Sequence, residues 1–307
     1  MADLATPLVT IGIPTYRRPE LLRRAVLSAL AQDHPNLEVV VSDNGSGDQT
    51  ADICAELART DSRLRVLQQP VNMGPSKNFL AVLAAATGEY FMWLGDDDWL
   101  DPDYVSGCLR ILSASSEISI VGGVATNYRN GKVSNVSRQK DLAHYRPGQR
   151  VMAFYRSLGN NAIVYGLMRR TMIASCVATN TLGGDWLLMA QVAFQGKMLT
   201  NPDVSIHRER ENSAGSSVAN TVKALGLPRV QQLFPITSVA VSAARDIAGV
   251  DAVYGGMDPT ERRKLATAVG GIVLIKLGVF VRLQTVAVAV IGRERAARWQ
   301  AMVRGTT

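Results

Sequence analysis

The chain is poor in the residues that build metal modules and disulfide scaffolds. Its 307 residues include three cysteines and three histidines. Cys54, Cys108 and Cys176 are far apart, odd in number and in no metal-ligand spacing. That argues against a disulfide-stapled module and points to a reducing compartment. His34, His144 and His207 form no HExxH or similar cluster, so no zinc site is expected. The start, Met1 to Ala5, lacks the basic and apolar regions of a secretory signal. Long apolar runs are missing as well. The uncharged stretches Leu265–Ile275, Leu277–Val281 and Leu283–Gly292 are each cut short by Lys276, Arg282 and Arg293. None reaches the roughly 18–20 residues that a spanning helix needs. No GxGxxG follows the first expected strand, which excludes a dinucleotide-binding dehydrogenase.

A charge of one sign is also scarce over most of the length. The net charge is +7, but from Asp258 onward there are nine basic and three acidic residues. The excess thus sits in the last fifty residues, and the remainder is close to neutral. That distribution speaks against a nucleic-acid-binding face. Apolar blocks punctuated by Lys and Arg suit a helix lying on an anionic membrane surface, here residues 265–304. An ordinary packing helix or an oligomer surface reads the same way.

What is present is a folding core and a rhythm. Hydrophobic residues make up 47% and mean hydropathy is +0.06, enough for one large domain with an appendage. Four apolar runs, Leu8–Ile13, Leu37–Val41, Arg63–Leu67 and Tyr90–Leu94, predict strands. Between them, Glu20–Gln32 behind Pro19, Gln49–Arg59 and Ser76–Ala86 predict helices. This alternation predicts βαβ units and a mostly parallel sheet covered on both faces. Farther on, a helix is predicted over Asp103–Ser113, a strand over Ile118–Val121, a helix over Leu187–Gln195 and a strand over Val204–His207. The polar stretch Asn127–Gln149 predicts a variable loop, and residues from Val218 onward predict helices.

Every unusual cluster falls after one of the first four strands. Pro14-Thr15-Tyr16-Arg17-Arg18 follows the first, Asp43-Asn44-Gly45-Ser46 the second and Asn72-Met73-Gly74-Pro75 the third. The fourth is followed by Asp96-Asp97-Asp98. Open α/β sheets bind ligands at the carboxyl edge of their strands. Three adjacent carboxylates repel one another unless a cation neutralises them. A hard divalent ion does so and usually brings a phosphate with it. A solvated acidic turn is the plain alternative.

These segments carry a resemblance. Ile11–Arg18, Val41–Asp48, Asn72-Met73-Gly74 with Asn78, and Gly88–Asp98 are similar to the family 2 glycosyltransferases. Those are inverting enzymes of the GT-A fold: a Rossmann-like, mostly parallel sheet with flanking helices. Within the family, the abequosyltransferase-like branch of bacterial polysaccharide enzymes is most similar. The matching residues lie between 8 and 104, and later agreement rests on Gly184-Asp185-Trp186 and His207. The resemblance implies a donor-binding set of Pro14, Tyr16, Arg18, Asp43, Lys77, Asn78 and Asp96. Tyr16 would stack on the base and Asp43 would accept its N–H, which favours UDP or dTDP. Asp97, Asp98 and His207 would hold Mg²⁺ or Mn²⁺, and Asp185 would be the catalytic base. Two departures stand out. The commoner pattern has an aspartate at Gly95, which leaves open whether Asp97 or Asp98 is the main ligand. It also has a glutamate at Gly184, so Asp185 is a lone carboxylate. Apart from the resemblance, Asp185 fits a helix N-cap, His207 a structural histidine, Tyr16 plain packing and Asn44-Gly45 a turn.

The expected organisation is a GT-A domain over 1–217, with a nucleotide half 1–101 and an acceptor half 102–217, followed by a helical, basic region 218–307. The expected partners are a nucleotide-diphosphate sugar and a saccharide or lipid-linked acceptor, in surface polysaccharide or glycolipid synthesis. A second copy is compatible, and nucleic acid is not expected. The expected location is cytoplasmic, peripheral on the inner face of the membrane. A small-molecule aglycone acceptor and a non-catalytic scaffold are the alternatives. A sugar-nucleotide pyrophosphorylase would need a Gly-rich loop where Pro14–Arg18 stands.

Overall fold

The computed structural model describes residues 6–144, 146–159, 162–209, 217–249 and 253–291, with side chains in the last segment described to residue 278. The basic residues beyond Ile291 lie outside the described residues.

The amino-terminal half follows the predicted rhythm. It runs β1 (Val9–Thr15), α1 (Pro19–Leu30), β2 (Leu37–Asp43), α2 (Thr50–Thr60), β3 (Leu64–Gln68), α3 (Pro75–Ala85) and β4 (Tyr90–Trp93). β1 is buried along its whole length, as its unbroken apolar sequence requires of a strand covered on both faces. α1 starts with Pro19, whose missing N–H costs nothing in a first turn, and buries Leu22, Ala25, Val26 and Ala29 at helical spacing. β3, β2, β1 and β4 pair in that order and all in parallel. Their carboxyl ends therefore share one edge.

The second half keeps the four predicted elements, lengthens its strands and adds others. After the short β5 (Asp98–Leu100) come α4 (Tyr104–Ser113), β6 (Ile118–Arg129) and β7 (Lys132–Ser137). Next are α5 (Pro147–Arg156), a 3₁₀ turn at Ala162–Tyr165, β8 (Leu167–Arg169), α6 (Arg170–Ala174), α7 (Gly184–Gln195) and β9 (Lys197–Glu209). The stretch predicted as a loop holds a hairpin and the start of a helix. Its turn is Asn130-Gly131, both with positive φ (51° and 68°), the geometry of a tight two-residue hairpin. Four of the six residues of β7 are exposed, so it lacks the alternation that marks a half-buried strand. The sheet order is β3-β2-β1-β4-β8-β6-β9-β5, with β7 beside β6. β8 joins β4 and β6 antiparallel, and β5 joins β9 antiparallel, so the far half of the sheet is mixed.

The last part is helical, as predicted: α8 (Val218–Ala224), α9 (Arg229–Leu233), α10 (Pro235–Ala248) and α11 (Pro259–Ile291). Leu265, Ala266, Val269 and Val273 of α11 are buried with Val239, Ala243 and Ile247 of α10, in the same core as Phe154 of α5 and Val192 of α7. So the described front of α11 is a packing helix on its inner side. Leu274 and Ile275 stay exposed, next to Lys276. No helix among the described residues is long and apolar enough to cross a membrane.

Candidate active site

The loops after β1, β2 and β4 meet at the shared edge and are tied by side chains. Asn78, buried on α3, accepts from the Ser42 hydroxyl at 2.7 Å and donates to the carbonyls of Thr15 and Ser42 at 3.1 Å each. It thus pins the ends of β1 and β2 together. The fully buried Asp43 accepts from the Ser46 N–H at 3.1 Å, from the Ser46 hydroxyl, and from Gln68 Nε2 at 2.7 Å. Ser46 in turn accepts from Arg17: its hydroxyl takes the backbone N–H and its carbonyl takes Nε, both at 2.9 Å. These bonds hold Arg17 at φ 56°, the left-handed region a non-glycine residue enters at a cost. Pro14 is buried in β1 and Tyr16 is half-buried beside the Arg17 guanidinium. Lys77 is exposed in the first turn of α3.

The three aspartates part company. Asp96 Oδ2 accepts from the Thr15 hydroxyl at 2.9 Å. Asp96 Oδ1 and Asp97 Oδ2 both meet one nitrogen, Nη1 of Arg18, at 3.0 and 2.9 Å. Burial pushes the Asp96 carboxyl up to about 6, against the pull of Arg18. Asp98 turns elsewhere: its carboxylate, 3% exposed, lies 3.5 Å from Nε of Arg208. The cause is the β5–β9 pairing, which sets Asp98 opposite Arg208 and Trp99 opposite His207. Neighbouring strand residues point to opposite faces, so Asp98 and His207 are sent apart. His207 stacks on Trp99 at 5.2 Å and 9°, and shares hydrogen bonds with Asp101 at 2.7 Å and the Tyr128 hydroxyl at 3.1 Å. The structure therefore groups the expected ligands differently: Asp97 with Asp96, Asp98 with Arg208, His207 with Asp101. Among the described residues no group of three His, Cys, Asp or Glu converges to hold a metal ion. The Arg18 nitrogen is a stand-in cation between two carboxylates. A Mg²⁺-like ion is usually held by one or two carboxylates with substrate phosphates completing its shell, and the Asp96–Asp97 pair fits that mode.

Asp185 lies in the first turn of α7. It is not the N-cap, because Gly183, in a left-handed conformation, holds that position. Arg150, buried on α5, donates to the last carbonyls of α7 (Ala193 at 2.7 Å, Phe194 at 2.8 Å) and so fixes that helix at its other end. Burial pushes the Tyr165 hydroxyl well above its ordinary value; Asp98, Asp97 and Asp185 push the same way and Arg208 opposes them. Arg208 lies 3.5 Å from Asp98 and 5.1 Å from the centre of the Tyr165 ring, so these two residues border the triplet, and neither stands out in the sequence. Arg208 would have been found only by knowing that it faces Asp98. The bond of Thr15, which the sequence places in the cluster after the first strand, and that of Arg24, which donates to the Asp97 carbonyl at 2.7 Å, carry no sequence signal either.

The two departures from the commoner pattern have different surroundings. A Cβ at Gly95 would lie 2.9 Å from Asp98 Oδ2 and 3.1 Å from Asp97 Oδ1. A Cβ at Gly184 would run into the Thr179 carbonyl oxygen. A shallow depression lined by Thr87, Glu89, Arg169, Arg170 and Thr171 lies at the amino end of β4, away from these carboxylates.

The model of the family named Glycosyl transferase family 2 matches residues 10–175, more than half of the chain. The chain belongs to that family. Its fold is that of the GT-A enzymes, and the match does not single out the abequosyltransferase branch. Among curated relatives, the GalNAc(5)-diNAcBac-PP-undecaprenol beta-1,3-glucosyltransferase of Campylobacter jejuni is 36% identical over 107 residues, 34% of this chain and 33% of that one. The chain spans between 11% and 37% of the length of the first curated relatives it matches. Among solved structures, S. aureus TarS 1–349 in complex with UDP-GlcNAc has a TM-score of 0.62 at 17% identity, covering 87% of this chain and 72% of that one. The mannosyltransferase PcManGT of Pyrobaculum calidifontis, in complex with GDP-Man and Mn²⁺, has a TM-score of 0.54 at 18% identity, covering 98% and 81%.

Proposed function

We propose that this glycosyltransferase moves a sugar from a nucleoside diphosphate, UDP or dTDP, to a hydroxyl of a saccharide or lipid-linked acceptor, with inversion. One observation carries the reading: Asp96 and Asp97 converge on a cation, the Arg18 guanidinium, at the carboxyl edge of β1–β4. Pro14 and Tyr16 wall the base. Asp43 would accept the base N–H; it is fully buried under Ser46 and Gln68, so these neighbours have to shift for the base to reach it. Lys77 meets a phosphate, while Asn78 holds the loops in place rather than touching the donor. Asp96 and Asp97 would hold Mg²⁺ or Mn²⁺, which when bound supplies Lewis-acid stabilisation of the leaving diphosphate. Asp185 accepts the proton of the attacking hydroxyl, which is too weak a nucleophile unaided.

The organisation we propose keeps the donor half at 1–101 and the acceptor half at 102–217, with the helices from 218 packed on the latter. The protein works at the cytoplasmic face of a membrane, touching it through α11 and the basic residues beyond. The undecaprenol-linked substrate in the Campylobacter relative's name supports a lipid-linked acceptor, and exposed Leu274 and Ile275 beside Lys276 support the contact.

The test is thermal melting with UDP, dTDP, GDP and CDP, each with and without Mn²⁺. A ligand that binds only the folded state raises the midpoint by mass action, by about 2.7 kcal/mol at a hundred times Kd. A metal-dependent rise with UDP or dTDP alone is expected. No rise with any of the four sinks the reading.

A further inference from the structure

The donor site already contains a cation of its own. Arg18 Nη1 bonds Asp96 Oδ1 and Asp97 Oδ2 at once, at 3.0 and 2.9 Å, and so occupies the space between the two carboxylates that would hold a metal ion. The carboxylates are the fixed partners: Asp96 is buried and held by Thr15, and Arg24 holds the Asp97 backbone. The main chain before Arg18 is fixed too, by the two Arg17–Ser46 bonds. The Arg18 side chain is 25% exposed, so the movable partner is the guanidinium.

We propose that Arg18 is an internal counter-cation that makes metal binding at Asp96–Asp97 conditional on a nucleoside diphosphate. This rests on the donor-site reading above and adds an order of assembly to it. The argument is charge balance. Two carboxylates and one guanidinium sum to minus one. A divalent cation entering alone must expel Arg18 into water or sit against it, and either costs free energy. A diphosphate arriving with the metal changes this, because its oxygens accept the planar fork of the displaced guanidinium. The metal and the nucleotide then raise each other's affinity by the same factor, as linkage requires.

The experiment is titration of Mn²⁺, followed by electron paramagnetic resonance of the free ion, with and without UDP. In the wild type, UDP is expected to tighten Mn²⁺ binding at least tenfold. Arg18→Gln is expected to bind Mn²⁺ alone at least tenfold tighter than the wild type and to lose most of the UDP effect. Adding Asp97→Asn to Arg18→Gln should abolish the gain, which places the ion at the pair. Arg18→Lys keeps the charge and should leave metal-alone affinity within threefold of the wild type. Circular dichroism and melting of each variant confirm that it is folded. An Arg18→Gln protein that binds Mn²⁺ alone no tighter than the wild type overturns the proposal, as does a Lys variant that matches the Gln one. A wild type that takes up Mn²⁺ neither alone nor with UDP or dTDP overturns instead the donor-site reading beneath it.

Discussion

The two sides of the site are built by different means. On the donor side, the loops after β1, β2 and β4 are locked by hydrogen bonds from Asn78, Asp43, Ser46 and Thr15, all within the first hundred residues. On the other side, beyond the Asp96–Asp97 pair, Asp98, Tyr165 and Arg208 come from three distant segments, with Arg208 3.5 Å from Asp98 and over the Tyr165 ring. Arg208 has two buried nitrogens, Nε and Nη1, without a hydrogen-bond partner among the described residues. The donor side is a prebuilt cradle. The other side is a charge arrangement that depends on the register of β5 against β9. Damage to the first should spread through local hydrogen bonds, and damage to the second through unpaired buried charge.

The sharpest way to separate the two sides is Asp185→Asn. Turnover should fall by about 10²–10⁴, the usual contribution of a general base, while UDP affinity with Mn²⁺ stays within twofold. Retained turnover would show that the base lies elsewhere. Asp98→Asn comes next. It leaves the Arg208 guanidinium buried without its counter-charge, and urea unfolding should show a loss of about 3–5 kcal/mol. Asp97→Asn, one residue away, should cost less than about 1 kcal/mol of stability yet remove the Mn²⁺-dependent rise in melting temperature with UDP, because that carboxylate is half-buried and belongs to the proposed metal pair. Equal stability losses in the two variants would erase the distinction drawn between neighbours.

A smaller effect tests the helical region. Burial pushes the Asp246 carboxyl up to about 7, and Gln191 Nε2 holds its Oδ1 at 3.0 Å. A carboxyl whose folded value is raised favours the folded state at low pH. Its contribution is full below the unfolded value near 3.8 and fades as pH rises through about 7. Asp246→Asn should therefore stabilise the protein at pH 8 by roughly 1–2 kcal/mol, allowing for partial solvent screening, and change little at pH 4. Melting curves at the two pH values measure it. A variant equally stable with the wild type at pH 8 would mean that Asp246 is solvated in the folded protein.

The same division governs what the sequence reveals. β1 to β4 are near-continuous apolar runs with helices between them, and each polar cluster directly follows a strand, so the donor edge was legible residue by residue. β5, β7 and β8 are short or exposed, and short strands carry too few residues to show a period. Without β5 there is no register, and without register the opposed directions of Asp98 and His207 are invisible. Asn78 shows a different limit: its position was right to single out, but the three hydrogen bonds that occupy it are a property of the folded loops.

Gly95 and Gly184 carry a consequence for how this chain can change. Both stand where the commoner family pattern has an acidic residue, and at both a Cβ would meet atoms that are already close. The two sites differ in what stands in the way: side-chain oxygens of Asp97 and Asp98, which can turn aside, at Gly95, and the Thr179 backbone carbonyl, which cannot, at Gly184. Asp185 therefore stays a lone carboxylate at the start of its helix for as long as the 179 segment keeps its path.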